Sequence, residues 1–351
     1  MRRWITALAL GGLLAAPSGA ETPDFAGAAG PGSPYAFAKS GAKAVREAEA
    51  AKAAETSGAK VIGGRESAPG AWPWQVALMI AGQPVSPAAQ FCGGSMVLDD
   101  WVLTAAHCVH MADEDGIYAD LPPGAIAVLV GSNVLAQGQG DLIPIIGVFR
   151  HPSYIGTVFD FDIALIRLAR PPRVPYATIK VPDAEFGDML DDQGVTTIVT
   201  GWGLTEGGAH PESLRETQIQ MLDRDLCNRA LLESRAEQAA EGFSHAARVF
   251  GLAERDAYEV WDTLVSRAPV PISENMLCSG TFEGGKTACS GDSGGPLVVP
   301  LEDGSYIQAG LVSWGLSSET GEGCAETANF SAYTRISNFL PWLNQVLAEN
   351  P

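Results

Sequence analysis

Gly291-Asp292-Ser293-Gly294-Gly295-Pro296 is a tight turn built around one serine. Its glycines permit positive φ angles, and they let the backbone approach a substrate closely while leaving the hydroxyl exposed. A serine hydroxyl is a weak nucleophile at neutral pH, so Ser293 needs a base to take its proton. Two upstream segments offer the missing groups. Trp101-Val102-Leu103-Thr104-Ala105-Ala106-His107-Cys108 contains a candidate base, His107, and Phe161-Asp162-Ile163-Ala164-Leu165 contains a carboxylate, Asp162. A carboxylate beside the other ring nitrogen would fix the tautomer and stabilise the imidazolium as it forms. Negative charge developing on an attacked carbonyl needs preorganised donors, and the backbone N–H groups of Gly291 and Ser293 in the same turn are candidates for that task.

Size and composition narrow the alternatives. The 351 residues, of which 46% are hydrophobic, suffice for one large or two modest packed domains and exclude disorder of the whole chain. With 22 Lys and Arg against 41 Asp and Glu, the formal charge is −19, so no nucleic-acid partner is expected. Residues 1–20 read as a secretory signal: Arg2 and Arg3, an apolar run from Trp4 to Leu14, then Ser18-Gly19-Ala20 at a cleavage site. No later run of about 20 apolar residues offers a spanning helix, so export without stable membrane insertion is expected. Six cysteines fit three disulfides in an oxidising compartment, with 15 pairings open from sequence alone. No Cys-x-x-Cys or His-x-x-x-His spacing points to zinc.

Residues 21–60 are rich in Ala, Gly, Ser, Glu and Lys, with too few large apolar groups for a core, and read as a propeptide or tether. From Val61-Ile62-Gly63-Gly64 the text changes. Short β-rich runs, among them Ala125 to Val130, Leu142 to Phe149 and Thr196 to Thr200, alternate with Gly, Pro and Asp clusters in the rhythm of an all-β barrel protein. Pro171-Pro172-Arg173-Val174-Pro175 cannot lie in a central strand and suits a crossing between barrels. Ala230 to Ala240 and Ala246 to Val265 read as two or three helices within an insertion spanning about 228–273, with Leu231, Leu232, Phe243, Val249, Phe250, Leu252, Val260, Trp261 and Leu264 as apolar anchors. Ile336, Phe339, Leu340, Leu343 and Leu347 predict a C-terminal helix packed on the second barrel.

The three segments, in the order histidine, aspartate, serine, resemble the trypsin/chymotrypsin-like serine proteases. The resemblance runs from Val61 to about the C-terminus, interrupted by the helical insertion. It implies an all-β fold of two antiparallel Greek-key barrels, a peptidase domain over 61–351, and a catalytic triad of His107, Asp162 and Ser293. Asp160 is the close rival of Asp162 but lacks the Ile-Ala-Leu continuation. The other histidines, His110, His151, His210 and His245, lack such surroundings and read as surface or packing residues. The resemblance further implies disulfides Cys92 with Cys108, Cys227 with Cys278, and Cys289 with Cys324. Cleavage after Lys60 by an activating protease would free the Val61 amine to pair with Asp292, so the precursor should be nearly inactive and activity should follow a bell-shaped pH profile. Ser132 to Gly140 lacks the glutamates of a calcium loop found in some members, and neither metal nor other cofactor is expected. The implied enzyme is a secreted monomer, periplasmic or extracellular, acting on a protein or peptide substrate.

The specificity positions depart from the trypsin pattern. Where trypsin-like members carry a pocket-floor aspartate this chain has Thr287, and Ser331 replaces a family glycine, with Phe330 before it in place of a common proline. Ser313-Trp314-Gly315 would form the pocket wall and pair with substrate as an added strand. Phe159 would line a neighbouring apolar subsite. The expectation is cleavage after small or medium uncharged residues. Strict Arg/Lys specificity and a non-catalytic binding protein on the same scaffold are the alternatives, with Glu326 the nearest acidic group favouring the former. The cluster Asp113, Glu114, Asp115 falls, by the resemblance, in a loop that overhangs the leaving-group side.

Overall fold

The computed structural model describes residues 64–113, 115–156, 159–205, 209–281, 287–315 and 330–351. Val61, Glu114, Cys324, Glu326 and the proposed signal and propeptide lie outside the described residues. Fifteen described strands run in order: β1 (Arg65–Glu66), β2 (Gln75–Ile80), β3 (Gln90–Leu98), β4 (Trp101–Thr104), β5 (His110–Ala112), β6 (Tyr118–Asp120), β7 (Ile126–Val130), β8 (Asp141–Arg150), β9 (Ala164–Leu168), β10 (Thr196–Gly201), β11 (Arg215–Met221), β12 (Met276–Gly280), β13 (Pro296–Pro300), β14 (Tyr306–Gly315) and β15 (Phe330–Arg335). The described helices are α1 (Ala184–Leu190), α2 (Arg224–Val249), α3 (Glu254–Ser266) and α4 (Leu340–Glu349).

Strands β2-β3-β4-β9-β8-β7 close into one antiparallel barrel. Alternation along the strands fills it: Val76, Leu78, Met96, Val102, Val128, Ile143 and Ile166 point inward into one apolar cluster. The second barrel follows β11-β10-β13-β14-β15-β12 and closes where β12 pairs back onto β11, with β1 added at the β11 edge. The proline-rich stretch lies in the strand-free segment between β9 and α1, which carries the chain from the first barrel toward β10. Closure leaves few unpaired strand edges.

The barrels meet through close backbone contact and buried polar pairs. A Cβ on Gly93 would stand 3.1 Å from Gly295 Cα, so only glycine lets these two main chains touch. Beside them Ser95 Oγ donates to Gln308 Oε1 at 2.6 Å, and Thr200 Oγ1 donates to Gln75 Oε1 at 2.7 Å. Buried and satisfied, such groups fix how one barrel is seated on the other.

The C-terminal helix differs from expectation in its partner. Ile336, Phe339, Leu343 and Val346 pack with Trp101, Leu103, Ile163 and Leu165 of the first barrel and with Leu311 of the second. The outward faces of β4 and β9 are apolar and need a cover, and α4 supplies it. Arg167 on β9 donates to the carbonyls of Asn350 and Pro351, tying down the end of the chain.

The insertion is a two-helix hairpin, but its bounds and its break differ from expectation. The first helix begins before Cys227, where the Asp223 side chain caps it by accepting from Leu226 N at 2.8 Å. It then runs unbroken through Gly242 for 26 residues, about 39 Å at 1.5 Å per residue. It ends at Gly251, whose φ of 66° closes a left-handed cap in which Leu252 N reaches back to Ala247 O. Of the expected anchors Leu231 is buried and Phe243 packs on Trp261 at 5.0 Å, whereas Val249, Phe250, Leu252, Val260 and Leu264 are exposed. No residue of α3 is buried, so the hairpin is an arm fixed at its root. At that root Asn228 accepts from Ile272 N and donates to Ile272 O, clamping the two ends together. Among the described residues no helix is long and apolar enough to cross a membrane.

Candidate active site

His107 sits in a short 3-10 turn directly after β4 and is buried. Its Nδ1 lies 2.7 Å from Asp162 Oδ2, and its backbone N–H donates to Asp162 Oδ1 at 2.9 Å. Asp162 is fully buried. A carboxylate acceptor requires the proton on Nδ1, which leaves Nε2 as the nitrogen for proton exchange. Ser313 Oγ also donates to Asp162 Oδ2, at 2.5 Å, and Thr334 Oγ1 donates to the Asp162 carbonyl at 2.7 Å. The carboxylate is therefore oriented from β14 and β15 as well as by the histidine. Asp160 is placed elsewhere: its Oδ1 accepts from Phe161 N and from Asn275 Nδ2. Between the two aspartates Phe161 takes φ of 60°, a costly conformation for a bulky residue, with its ring stacked on His151 and packed against Phe339.

Ser293 is buried in the turn before β13. Gly93 N donates to Ser293 O at 2.7 Å, and Gly294 N and Gly295 N donate to Val312 O and Asp292 O. These bonds tie the serine turn to both barrels. Gly291 has φ of 98°, and a Cβ there would stand 3.1 Å from Gly203 Cα and 3.2 Å from His210 Cε1. Only glycine fits. His210, read from sequence as an uninvolved histidine, is exposed but borders this glycine.

Asp292 is buried, its Oδ1 accepting from Gly203 N at 2.7 Å and its Oδ2 from Cys289 N at 2.8 Å. Burial raises its carboxyl to about 6, opposed only in part by those two backbone donors. Among the described residues no cation pairs with it.

The expected specificity residues converge at one end of the second barrel. Thr287 and Ser331, both buried, share a hydroxyl–hydroxyl hydrogen bond. Gly315 pairs with Ser331 across β14 and β15, and Ser313 and Trp314 precede it on the same strand. Phe159 and Trp314 belong to one apolar cluster that also holds Leu231 and Ile272 from the root of the helical arm. Disulfides Cys92–Cys108 and Cys227–Cys278 are formed, and Cys289 is disulfide-bonded, its expected partner Cys324 lying outside the described residues. Cys92, Cys108 and His107 lie close enough together to suggest a metal site, but the disulfide consumes both thiolates a metal would need.

Two closed barrels with a buried histidine–aspartate pair and a glycine-walled serine at their junction define the chymotrypsin-like class of serine protease folds. The family model described as Trypsin matches residues 61–343, and the chain belongs to that family. It is 31% identical over 290 residues to "Serine proteinase stubble" of Drosophila melanogaster, covering 81% of this chain and 30% of that protein. It is 31% identical over 294 residues to "Suppressor of tumorigenicity 14 protein homolog" of Bos taurus, covering 82% and 28%. To "Serine protease 56" of Homo sapiens it is 30% identical over 305 residues, covering 82% and 39%. The chain thus matches only about a third of the length of these relatives.

Two contributions escaped the sequence reading. The sequence points Ser313 to the substrate wall alone, yet it also holds Asp162. Thr334 carried no signal, because a threonine in a β-rich run looks like any strand residue.

Proposed function

We propose that this protein is a secreted serine endopeptidase, made as a precursor, with Ser293 as nucleophile, His107 as general base and acid, and Asp162 as the orienting carboxylate. The buried His107–Asp162 hydrogen bond carries the reading, since it commits the imidazole to one tautomer and leaves Nε2 for proton exchange. His107 takes the Ser293 proton as Oγ bonds to the substrate carbonyl carbon. The oxyanion is met by the N–H groups of Gly291 and Ser293. Collapse breaks the C–N bond, the amine leaving with the proton from His107, and water then repeats the sequence on the acyl-enzyme.

The buried carboxylate of Asp292, which pairs with no cation among the described residues, supports activation by cleavage after Lys60. A freed Val61 ammonium would supply a cation there, offsetting the burial that raises the carboxyl. The Thr287–Ser331 bond supports a short, uncharged primary pocket, hence cleavage after small or medium uncharged residues and activation by a second protease. The test is peptide-library hydrolysis by the full chain cleaved to free Val61, with Ser293→Ala as control. Cleavage confined to Arg or Lys sites contradicts the pocket assignment, and equal inactivity of both proteins contradicts the enzyme.

A further inference from the structure

The main chain on both sides of Gly291 is held from outside the serine turn. Leu204 N donates to the Ser290 carbonyl at 2.8 Å, which fixes the peptide whose N–H belongs to Gly291. The next carbonyl, that of Gly291 itself, accepts from Gln90 Nε2 at 2.7 Å. Gln90 is the first residue of β3, so this bond reaches across from the first barrel. Its other amide hydrogen goes to Cys92 O at 2.9 Å.

Both of these partners are carbonyls, which only accept, so the amide must present its nitrogen to them. The consequence is an uncompensated group: Gln90 Oε1 is buried without a hydrogen-bond partner among the described residues, 3.3 Å from where a Cβ on Gly291 would stand. Native proteins rarely leave a buried acceptor in this state, and those that occur call for a reason. The reason here lies with Gly291. A glycine at φ of 98° has no side chain to restrain it, and rotation about its two soft dihedrals would swing its N–H out of the cleft. With the carbonyls on either side pinned, that rotation is blocked.

We propose that Gln90 is a positioning residue for the oxyanion donors, tolerating an orphaned oxygen in order to hold the Gly291 carbonyl. The inference rests on the acyl-transfer chemistry proposed for Ser293. In that chemistry the bond matters most when charge reaches the carbonyl oxygen, so its loss should weaken the transition state more than the bound substrate.

The test compares Gln90→Met, which keeps the volume and loses the donors, with Gln90→His, which restores a ring N–H, in the full chain cleaved to free Val61. A chromogenic peptide with a small residue before the scissile bond gives kcat and KM. A peptide boronate of the same sequence reports the tetrahedral state, and the product peptide reports ground-state binding. Gln90→Met should lower kcat about tenfold, the scale of one hydrogen bond, with KM within about twofold. Boronate affinity should fall in parallel, product affinity should hold, and Gln90→His should recover most of the loss. Unchanged kcat in Gln90→Met, or parallel loss of kcat, boronate and product affinity, overturns the inference while leaving the proposed enzyme intact. A parent protein no more active than Ser293→Ala overturns the hydrolytic reading itself.

Discussion

The hydroxyl of Thr287 meets the hydroxyl of Ser331 inside the second barrel, both residues buried and no carboxylate between them. In the pocket proposed above, these two hydroxyls stand where a lysine or arginine side chain would need a charge. Replacing Thr287 with Asp and Ser331 with Gly together should open the pocket and place a carboxylate at its end, raising kcat/KM for arginine substrates at least about tenfold, the scale of a modest charge interaction. Peptide-library profiling checks this. A parent already specific for arginine would show that the charge comes from elsewhere, with Glu326 the residue to examine.

Asp162 accepts from His107 Nδ1 and from Ser313 Oγ at once, so its negative charge holds both the tautomer and the ring orientation. Asp162→Asn should keep the shape and stabilise the wrong tautomer. The family template loses roughly 10⁴-fold in kcat on this change, and a loss of that order is expected here with KM little altered. Steady-state kinetics on a chromogenic peptide settles it, and a loss of tenfold or less would mean that the carboxylate does not orient the base.

The carboxyl of Asp292 makes the stability of the uncleaved chain depend on pH. Its folded value is raised from 3.8 to about 6, so the fold favours the protonated form. That contribution is fully present below about pH 4 and is lost as pH rises through about 6, a swing of roughly 3 kcal/mol. In the uncleaved chain carrying Ser293→Ala, adding Asp292→Asn should therefore stabilise increasingly from pH 4 to 7. Urea unfolding of the two proteins across that range measures it. A difference independent of pH would place the carboxylate in a cation's company already.

At its root the helical arm meets the catalytic half through Leu231, Ile272 and the Asn228 clamp. Replacing residues 233–269 with a short Gly-Ser turn should leave kcat/KM for short peptides within about threefold, since the root contacts of Asn228, Leu231 and Ile272 are kept. Asn228→Ala should instead cost about 2 kcal/mol, because it strands a buried backbone N–H and C=O together. Peptide kinetics and chemical denaturation distinguish the two effects.

Sequence alone made the barrels legible, because their strands alternate between inward apolar residues such as Val76 and Leu78 and because Gly and Pro mark the turns. The proposed triad residues are each carried by one local segment, and the His107–Asp162 pair is formed. What stayed hidden depends on contacts distant in sequence. The side of the molecule covered by α4 is decided by the outward faces of β4 and β9, which read as ordinary strand alternation. The hairpin break at Gly251 needed the left-handed cap, since Gly242 is an equal candidate on composition. Gln90 reaches Gly291 across 201 positions, and nothing local to Ala88-Ala89-Gln90-Phe91 announces it.

The central claim is that Ser293 is a nucleophile activated by His107. Labelling with a fluorophosphonate, followed by mass spectrometry of the digested full chain cleaved to free Val61, tests it most directly. One adduct per chain on Ser293, absent in Ser293→Ala and strongly slowed in His107→Ala, is the predicted result. No adduct, or equal labelling of Ser293→Ala, would contradict the account.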